Sequence, residues 1–296
     1  MIVVTAPTGD IGHQVVRHLL TAGAEIRLIA RDPSRLPDDV RNRADIVAGS
    51  HGDAAVVNQA FKGADTVFWL APPDPKAPSV TAAYVDFTRP AAAAMKAHGV
   101  SRVVSITALG RGSPLAANAG YVTGSLEMDD LIAGAGVALR AVANASFMDN
   151  IARQADAIRD QGLFFMPISG ELKLPSVATR DIAAVAARLV LDTGWTGREE
   201  VPLLGPEDIS FNDMAEIMSQ VLGKAVRYRQ ISLEAYKARF MQFGMSDAMA
   251  QGMTDMARAK DLGLDLTVAR TAQNATPTTF RQWCEDTLKP AVHGRP

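Results

Sequence analysis

One cysteine, Cys284, stands in a chain of 296 residues. No disulfide can close within the chain, and no cysteine cluster can hold zinc. A charge excess is missing as well: 30 Lys and Arg against 32 Asp and Glu leave a net charge of −2. With no basic run either, there is no electrostatic footprint for nucleic acid, and no direct nucleic-acid partner is expected. The N-terminal apolar run is too short for a signal peptide and no run is long enough to span a bilayer, which predicts a cytoplasmic protein without a membrane partner. Internal repeats and low-complexity segments are also absent. What remains is 48% apolar and 21% charged residues, the profile of a globular protein able to bury a full core as one large domain, or one with a smaller lobe.

The first thirty-one residues carry the most information. Ile2-Val3-Val4-Thr5 is a short apolar run suited to a buried parallel strand. Ala6-Pro7-Thr8-Gly9-Asp10-Ile11-Gly12 breaks it, and Val15, Val16, Leu19 and Leu20 then recur at helical spacing before Gly23. Such a turn points the free N–H groups of a helix N-terminus at whatever lies above the strand, and the helix dipole attracts a pyrophosphate there. Gly9 and Gly12 suit this because neither carries a Cβ to hold a phosphate or the packed helix at a distance. The next strand, Ile26 to Ala30, ends at Arg31, where such folds place the residue that reads the adenosine ribose. An acid there binds a 2′-hydroxyl and an arginine accommodates a 2′-phosphate, so Arg31 favours NADP(H) over NAD(H). Arg35 strengthens a phosphate site, whereas Asp32 is a rival for the ribose.

The alternation continues along the chain. Strands are predicted at 45–48, 66–71, 102–106 and 137–142. Helices are predicted from Asp53 to Phe61, from about Val80 to His98 ending at Gly99, and from Tyr121 to Ala133. This pattern predicts an α/β Rossmann fold, a doubly wound parallel sheet covered on both faces, with ligands at the carboxyl ends of its strands. After residue 150 the pattern changes. A helix at 181–191, a strand at 201–204, a helix capped by Ser210 and Asp213, a strand at 226–231 and a mostly helical remainder follow, with Thr276-Pro277 opening the last helix. The predicted organisation is a cofactor-binding Rossmann domain over 1–150, with the helix at 181–192 packing on it, and a smaller C-terminal α/β lobe over 151–296 that forms the other wall of a cleft.

Several motifs together resemble one family. They are Thr8-Gly9-Asp10-Ile11-Gly12, Arg31-Asp32-Pro33, the stretch from Phe61 to Phe68, Asn144-Ala145-Ser146-Phe147-Met148-Asp149-Asn150, and Thr179-Arg180-Asp181-Ile182-Ala183. In this order they look like an NmrA-like protein of the atypical short-chain dehydrogenase/reductase superfamily, and Leu204-Gly205-Pro206 with Val221-Leu222-Gly223-Lys224 extends the likeness into the C-terminal lobe. The resemblance implies NADP(H) in a Rossmann domain. It further implies either reduction of quinones, dyes or other small electrophiles, or redox sensing without turnover through a protein partner. On this reading Thr8, Gly9, Asp10, Ile11 and Gly12 hold the pyrophosphate and Arg31 with Arg35 the 2′-phosphate. Ala71, Pro72, Thr107, Ser125, Asn144 and Phe147 line the ribose and nicotinamide.

The chain also departs from the family. Ala6 stands where the family turn begins with glycine, and Ser50-His51 where an acid near the adenine is common. Tyr121 occupies the position of the superfamily's proton-donating tyrosine and Thr107 that of its partner hydroxyl, which makes them the candidate catalytic residues. The activating lysine, however, is replaced by Ser125. A phenol near pKa 10 is a poor relay at neutral pH without that cation. The expected chemistry is therefore direct hydride transfer to a small, flat, already electrophilic acceptor such as a quinone, dye or activated imine, placed by proximity. A non-catalytic sensor is the alternative, and a scaffold that has lost nucleotide binding is a third; either a monomer or a homodimer is expected. Among the remaining features, Met241, Met245, Met249 and Met253 recur every four residues, as a helix core or as the roof of an aromatic site. His51 and His98 are read as surface groups. Asp129-Asp130 is no carboxylate dyad, since adjacent helical residues do not share a face.

Overall fold

The computed structural model describes residues 1–294. By internal contacts it divides into two units interleaved along the chain: 1–108, 124–143 and 182–201 form the first, and 109–123, 144–181 and 202–296 the second.

The first unit is built on strands β1 (Ile2–Thr5), β2 (Ile26–Ala30), β3 (Asp45–Ala48), β4 (Thr66–Trp69), β5 (Arg102–Ala108) and β6 (Ala138–Asn144). A seventh strand, Arg198–Leu203, lies beyond β6, and the order across the sheet is Arg198–Leu203, β6, β5, β4, β1, β2, β3. This is the doubly wound order that reverses direction between β1 and β4, the switch point beside which such sheets bind ligands. Pairing is parallel, with Val3 opposite both Arg27 and Val67. Runs such as Val3-Val4 and Val67-Phe68-Trp69 are apolar without alternation because helices cover both faces; all five residues are fully buried.

The helix Gly12–Thr21 turns Val15, Val16, Leu19 and Leu20 inward. The helix Phe87–His98 ends at left-handed Gly99, as expected, but it is preceded by a π-helical turn at Ala82–Asp86. Pro90 has no N–H for the Asp86 carbonyl four residues back, and the widened turn accommodates that loss. The same relation recurs in the second unit, where Pro290 follows the π-turn Cys284–Leu288.

In the second unit Leu163–Met166 pairs in parallel with Arg227–Gln230, and Leu174–Val177 lies between Asp208–Ile209 and Ser146–Phe147. Its core gathers Met148, Ile158, Phe164, Met214, Met218, Phe280, Trp283 and Leu288. The helix Phe211–Leu222 starts with the anticipated capping box of Ser210 and Asp213. The last helical stretch departs from expectation: Thr279, not Thr276, caps Phe280–Trp283, and Pro277 lies before the cap.

Candidate dinucleotide and acceptor site

At the switch point the Thr5 hydroxyl accepts the Leu70 N–H at 2.8 Å and donates to the Phe68 carbonyl at 3.1 Å, joining the ends of β1 and β4. Ala6 follows with φ +49°, in the left-handed region. The turn thus keeps a glycine's backbone with an alanine in it, at a cost of about 1–2 kcal/mol. The Ala6 carbonyl accepts the Gly9 N–H at 3.1 Å. A Cβ added to Gly12 would lie 2.0 Å from that same oxygen, whereas one on Gly9 would sit at 3.5 Å, an ordinary contact. Closure of the turn therefore demands glycine at 12 but not at 9. Ile11 is the N-cap of the helix Gly12–Thr21, with no side-chain cap bond and no acid in the first turn. The Gly9 carbonyl lies 2.9 Å from His13 Nδ1, and the Asp10 carbonyl accepts from Gln14 at 2.6 Å. An uncapped helix N-terminus over a closed turn, with nearby carbonyls already engaged, fits a diphosphate.

Beyond β2, Arg31 and Arg35 are exposed. Asp32 Oδ1 accepts from the Ser34 N–H at 3.0 Å and the Ser34 hydroxyl at 2.6 Å, capping the turn Pro33–Arg35. Those bonds hold its carboxyl below the usual range. Arg31 has no carboxylate partner among the described residues. His51 is not the surface group expected: it is 6% exposed. Its ring stands edge-on to Trp69 and Phe87, at 5.2 and 4.9 Å between centroids. Nε2 lies 3.0 Å from the Leu70 carbonyl. Burial pulls its pKa down to about 4, so at neutral pH the ring is uncharged and Nε2–H donates to Leu70. The Leu70 peptide, which leads into buried Ala71 and exposed Pro72, is thus held from both sides, its N–H by Thr5 and its carbonyl by His51.

Thr107, at the end of β5, and Ser125, on the helix Tyr121–Gly134, are each 5% exposed. Two residues before Thr107 and one turn after Ser125, the Ser105 hydroxyl donates to buried Asp129 at 2.6 Å, tying this helix to β5. Asp130 faces the other way and pairs with Arg198 at 2.5 Å, so the two acids form no dyad.

Tyr121, Asn144 and Phe147 belong to the second unit. Asn144 is buried and its carbonyl accepts the Leu109 N–H at 3.2 Å; Phe147 is half-buried in its strand. The Tyr121 hydroxyl approaches Met245 Sδ at 4.0 Å. Burial raises its pKa to about 12. Tyr236, which sequence reasoning did not single out, is 6% exposed and close enough to Tyr121 to feel its charge; burial raises its pKa to about 12 as well. The four methionines do not share one helix. Met241 is in the last turn of Leu233–Gln242 and is 46% exposed, Met245 is in the connecting turn, and Met249 and Met253 lie on Asp247–Asp261, where Met249 is fully buried.

A parallel sheet of this order, with an open helix N-terminus above β1, defines a dinucleotide-binding Rossmann protein. A family model described as NAD(P)H-binding matches residues 7–193, and that of the NmrA-like family matches residues 138–284. The chain belongs to the NmrA-like family of NAD(P)H-binding proteins, within the atypical short-chain dehydrogenase/reductase superfamily. It is 31% identical over 96% of both chains to the (4-alkanoyl-5-oxo-2,5-dihydrofuran-3-yl)methyl phosphate reductase of Streptomyces griseus. It is 30% identical over 86% of both chains to the NAD(P)H azoreductase of Xenophilus azovorans. The NADPH-dependent quinone oxidoreductase of Escherichia coli, solved with NADPH, superposes with a TM-score of 0.75 over 95% of this chain and 98% of that one, at 22% identity. Among the described residues no helix is long and apolar enough to cross a membrane.

Proposed function

We propose that the protein is an NADPH-dependent reductase that passes a hydride directly to a small, flat, electrophilic acceptor of the quinone, azo-dye or imine type. The observation that carries this reading is Tyr121: a phenol with its pKa near 12, Ser125 in place of an activating lysine, and Met245 and Tyr236 as neighbours. Such a phenol orients an aromatic acceptor through its ring and hydroxyl but does not protonate a carbonyl at neutral pH. Acceptors that are electrophilic without acid catalysis are the class that remains, and the azo compounds and quinones for which the similar azoreductase and quinone oxidoreductase are named fall in it.

In this reading residues 1–150 bind the cofactor and 151–296 form the substrate lobe. The N–H groups of Thr8, Asp10, Ile11 and Gly12 bind the diphosphate, and Gly9, whose own N–H closes the turn on Ala6, leaves room for it. Arg31, with Arg35 behind it, binds the 2′-phosphate, while Asp32 is occupied by Ser34 and leaves the ribose to the arginine. Ala71, Pro72, Thr107 and Ser125 line the ribose and nicotinamide on the first unit. The bound reduced cofactor supplies the hydride. Tyr121 positions the acceptor, Thr107 holds its oxygen or nitrogen by a hydrogen bond, and the proton arrives from water. The protein acts in the cytoplasm as a monomer or homodimer.

Calorimetric titration with NADPH, NADP⁺ and NADH, followed by NADPH oxidation with a panel of quinones and azo dyes, tests the reading. Turnover with NADPH preferred supports it. Tight binding of one redox state with no turnover of any acceptor overturns it in favour of a sensor, and no binding of the three nucleotides overturns both.

A further inference from the structure

The helix Leu233–Gln242 carries an arginine in an unusual setting. The Arg239 guanidinium lies 4.1 Å from the centroid of the Phe165 ring and 5.7 Å from that of Phe243. Lys237, on the same helix, is matched with an acid, Asp247, at 2.7 Å. Arg239 pairs with none among the described residues. A guanidinium over an aromatic ring is held by the ring's face and keeps its N–H edges for other acceptors.

A second cation stands beside it. Gln154 pairs with the Phe165 backbone through both ends of its amide, accepting the N–H at 3.0 Å and donating to the carbonyl at 3.1 Å. This fixes Arg153, the preceding residue, next to the strand whose Phe165 ring carries Arg239. Arg153 is exposed, has no carboxylate partner among the described residues, and its charge is felt by Tyr236, one turn before Arg239 on the same helix. Arg239 over Phe165, Tyr236 one turn before it, and Arg153 beside the residue bonded to the Phe165 backbone thus belong to one neighbourhood of the second unit. It holds two cations, neither of them in an ion pair among the described residues, and the phenol that neighbours Tyr121.

We propose that Arg239 and Arg153 form an anion site for an acidic substituent, a sulfonate, carboxylate or phosphate, on the aromatic acceptor. The inference rests on the reductase reading and narrows its substrate class to anionic aromatics. The fixed fork of Arg239 supplies paired hydrogen bonds to two oxygens of the substituent, and Arg153 adds charge. Phe165, Phe243 and Tyr236 supply apolar contact for the ring that bears it. An uncharged quinone fills the acceptor position without this contact.

The test uses the full chain and two probes that differ only in charge, naphthalene-2-sulfonate and 2-naphthol, titrated calorimetrically into wild type, Arg239→Gln, Arg239→Lys and Arg153→Gln. The sulfonate is expected to bind wild type about tenfold more tightly than Arg239→Gln, with Arg239→Lys between them and naphthol unchanged across the series. NADPH binding reports that each variant is folded. Equal sulfonate affinity in wild type, Arg239→Gln and Arg153→Gln overturns the anion site. Turnover of an uncharged quinone, measured alongside, decides the reductase reading separately. If the quinone is reduced while the sulfonate shows no dependence on arginine, only the anion site falls. If the sulfonate depends on Arg239 and nothing is reduced, the site stands and the reductase reading falls.

Discussion

Gly120 and Gly252 meet backbone to backbone: a Cβ built on Gly120 would lie 1.9 Å from the Gly252 carbonyl oxygen. Gly120 immediately precedes Tyr121 and has φ +54°, so it meets two demands that only glycine satisfies together, a left-handed backbone and a neighbour without clearance. The helix Asp247–Asp261 thereby seats against the turn that launches Tyr121. Gly120→Ala is expected to destabilise by about 3 kcal/mol in urea denaturation, combining backbone strain with overpacking. Gly112→Ala is the control: its φ is +83° but nothing lies within 4 Å, so only the conformational cost of about 1 kcal/mol applies. Equal losses in the two variants would remove the packing argument.

Tyr121→Phe separates positioning from proton delivery. With the phenol pKa near 12, the hydroxyl stays protonated across the neutral range, so kcat with a quinone is expected to fall less than about threefold and to show no new limb between about pH 6 and 9. A loss of about a hundredfold would restore a proton-relay role.

Arg31→Ala is expected to weaken NADPH binding about 10- to 100-fold and to leave NADH within about twofold, the difference reporting the charge-assisted contact to the 2′-phosphate. Parallel losses for both nucleotides in calorimetry would instead mark Arg31 as part of the ribose wall.

His51 couples stability to acid. Its pKa is depressed to about 4 from 6.5, so the unfolded chain takes up a proton that the folded chain refuses. The associated stability is complete above pH 6.5 and is lost as pH falls through 4. The loss amounts to about 3 kcal/mol. Comparing melting temperatures at about pH 7 and pH 4.5, wild type is expected to lose more than His51→Gln. An identical acid dependence in the two would show that other groups govern it.

Ala6→Gly is expected to stabilise by about 0.5 kcal/mol, since release of left-handed strain exceeds the added freedom of the unfolded chain by that margin. Gly12→Ala, whose Cβ meets the Ala6 carbonyl, is expected to abolish NADPH binding measured by calorimetry. Binding retained in Gly12→Ala would show that the turn has room to shift.

The Rossmann elements were legible where a strong stop cuts them off: the strand ending at Thr5 before Ala6-Pro7, the strand ending at Trp69 shortly before Pro72-Pro73, and the helix ending at His98 before Gly99. Other strands lacked that punctuation. Leu163-Phe164-Phe165-Met166 is as apolar as a buried helix segment, and Leu174-Pro175-Ser176-Val177 hides a fully buried strand behind a proline and a serine. The broken methionine stripe had a readable signal in Phe243-Gly244-Met245-Ser246: a glycine with φ +83° closes one helix and Ser246 caps the next. His51 had no local signal. Its burial comes from Trp69 and Phe87, distant in sequence, and a lone histidine cannot announce such neighbours. Tyr236 escaped notice for the same reason, because its relation to Tyr121 exists only once the chain has folded.

The seventh strand, Arg198–Leu203, also sets a timetable. When β6 has left the ribosome at Asn144, the sheet has six strands and a bare edge, and residues 145–197 must emerge before that edge is covered. During that interval the nascent chain presents β6 as an open template for pairing with another chain. Refolding from denaturant meets the same long-range closure, so the slowest pairing step is expected at this edge and not at the short crossover through the helix Gly12–Thr21 that joins β1 to β2.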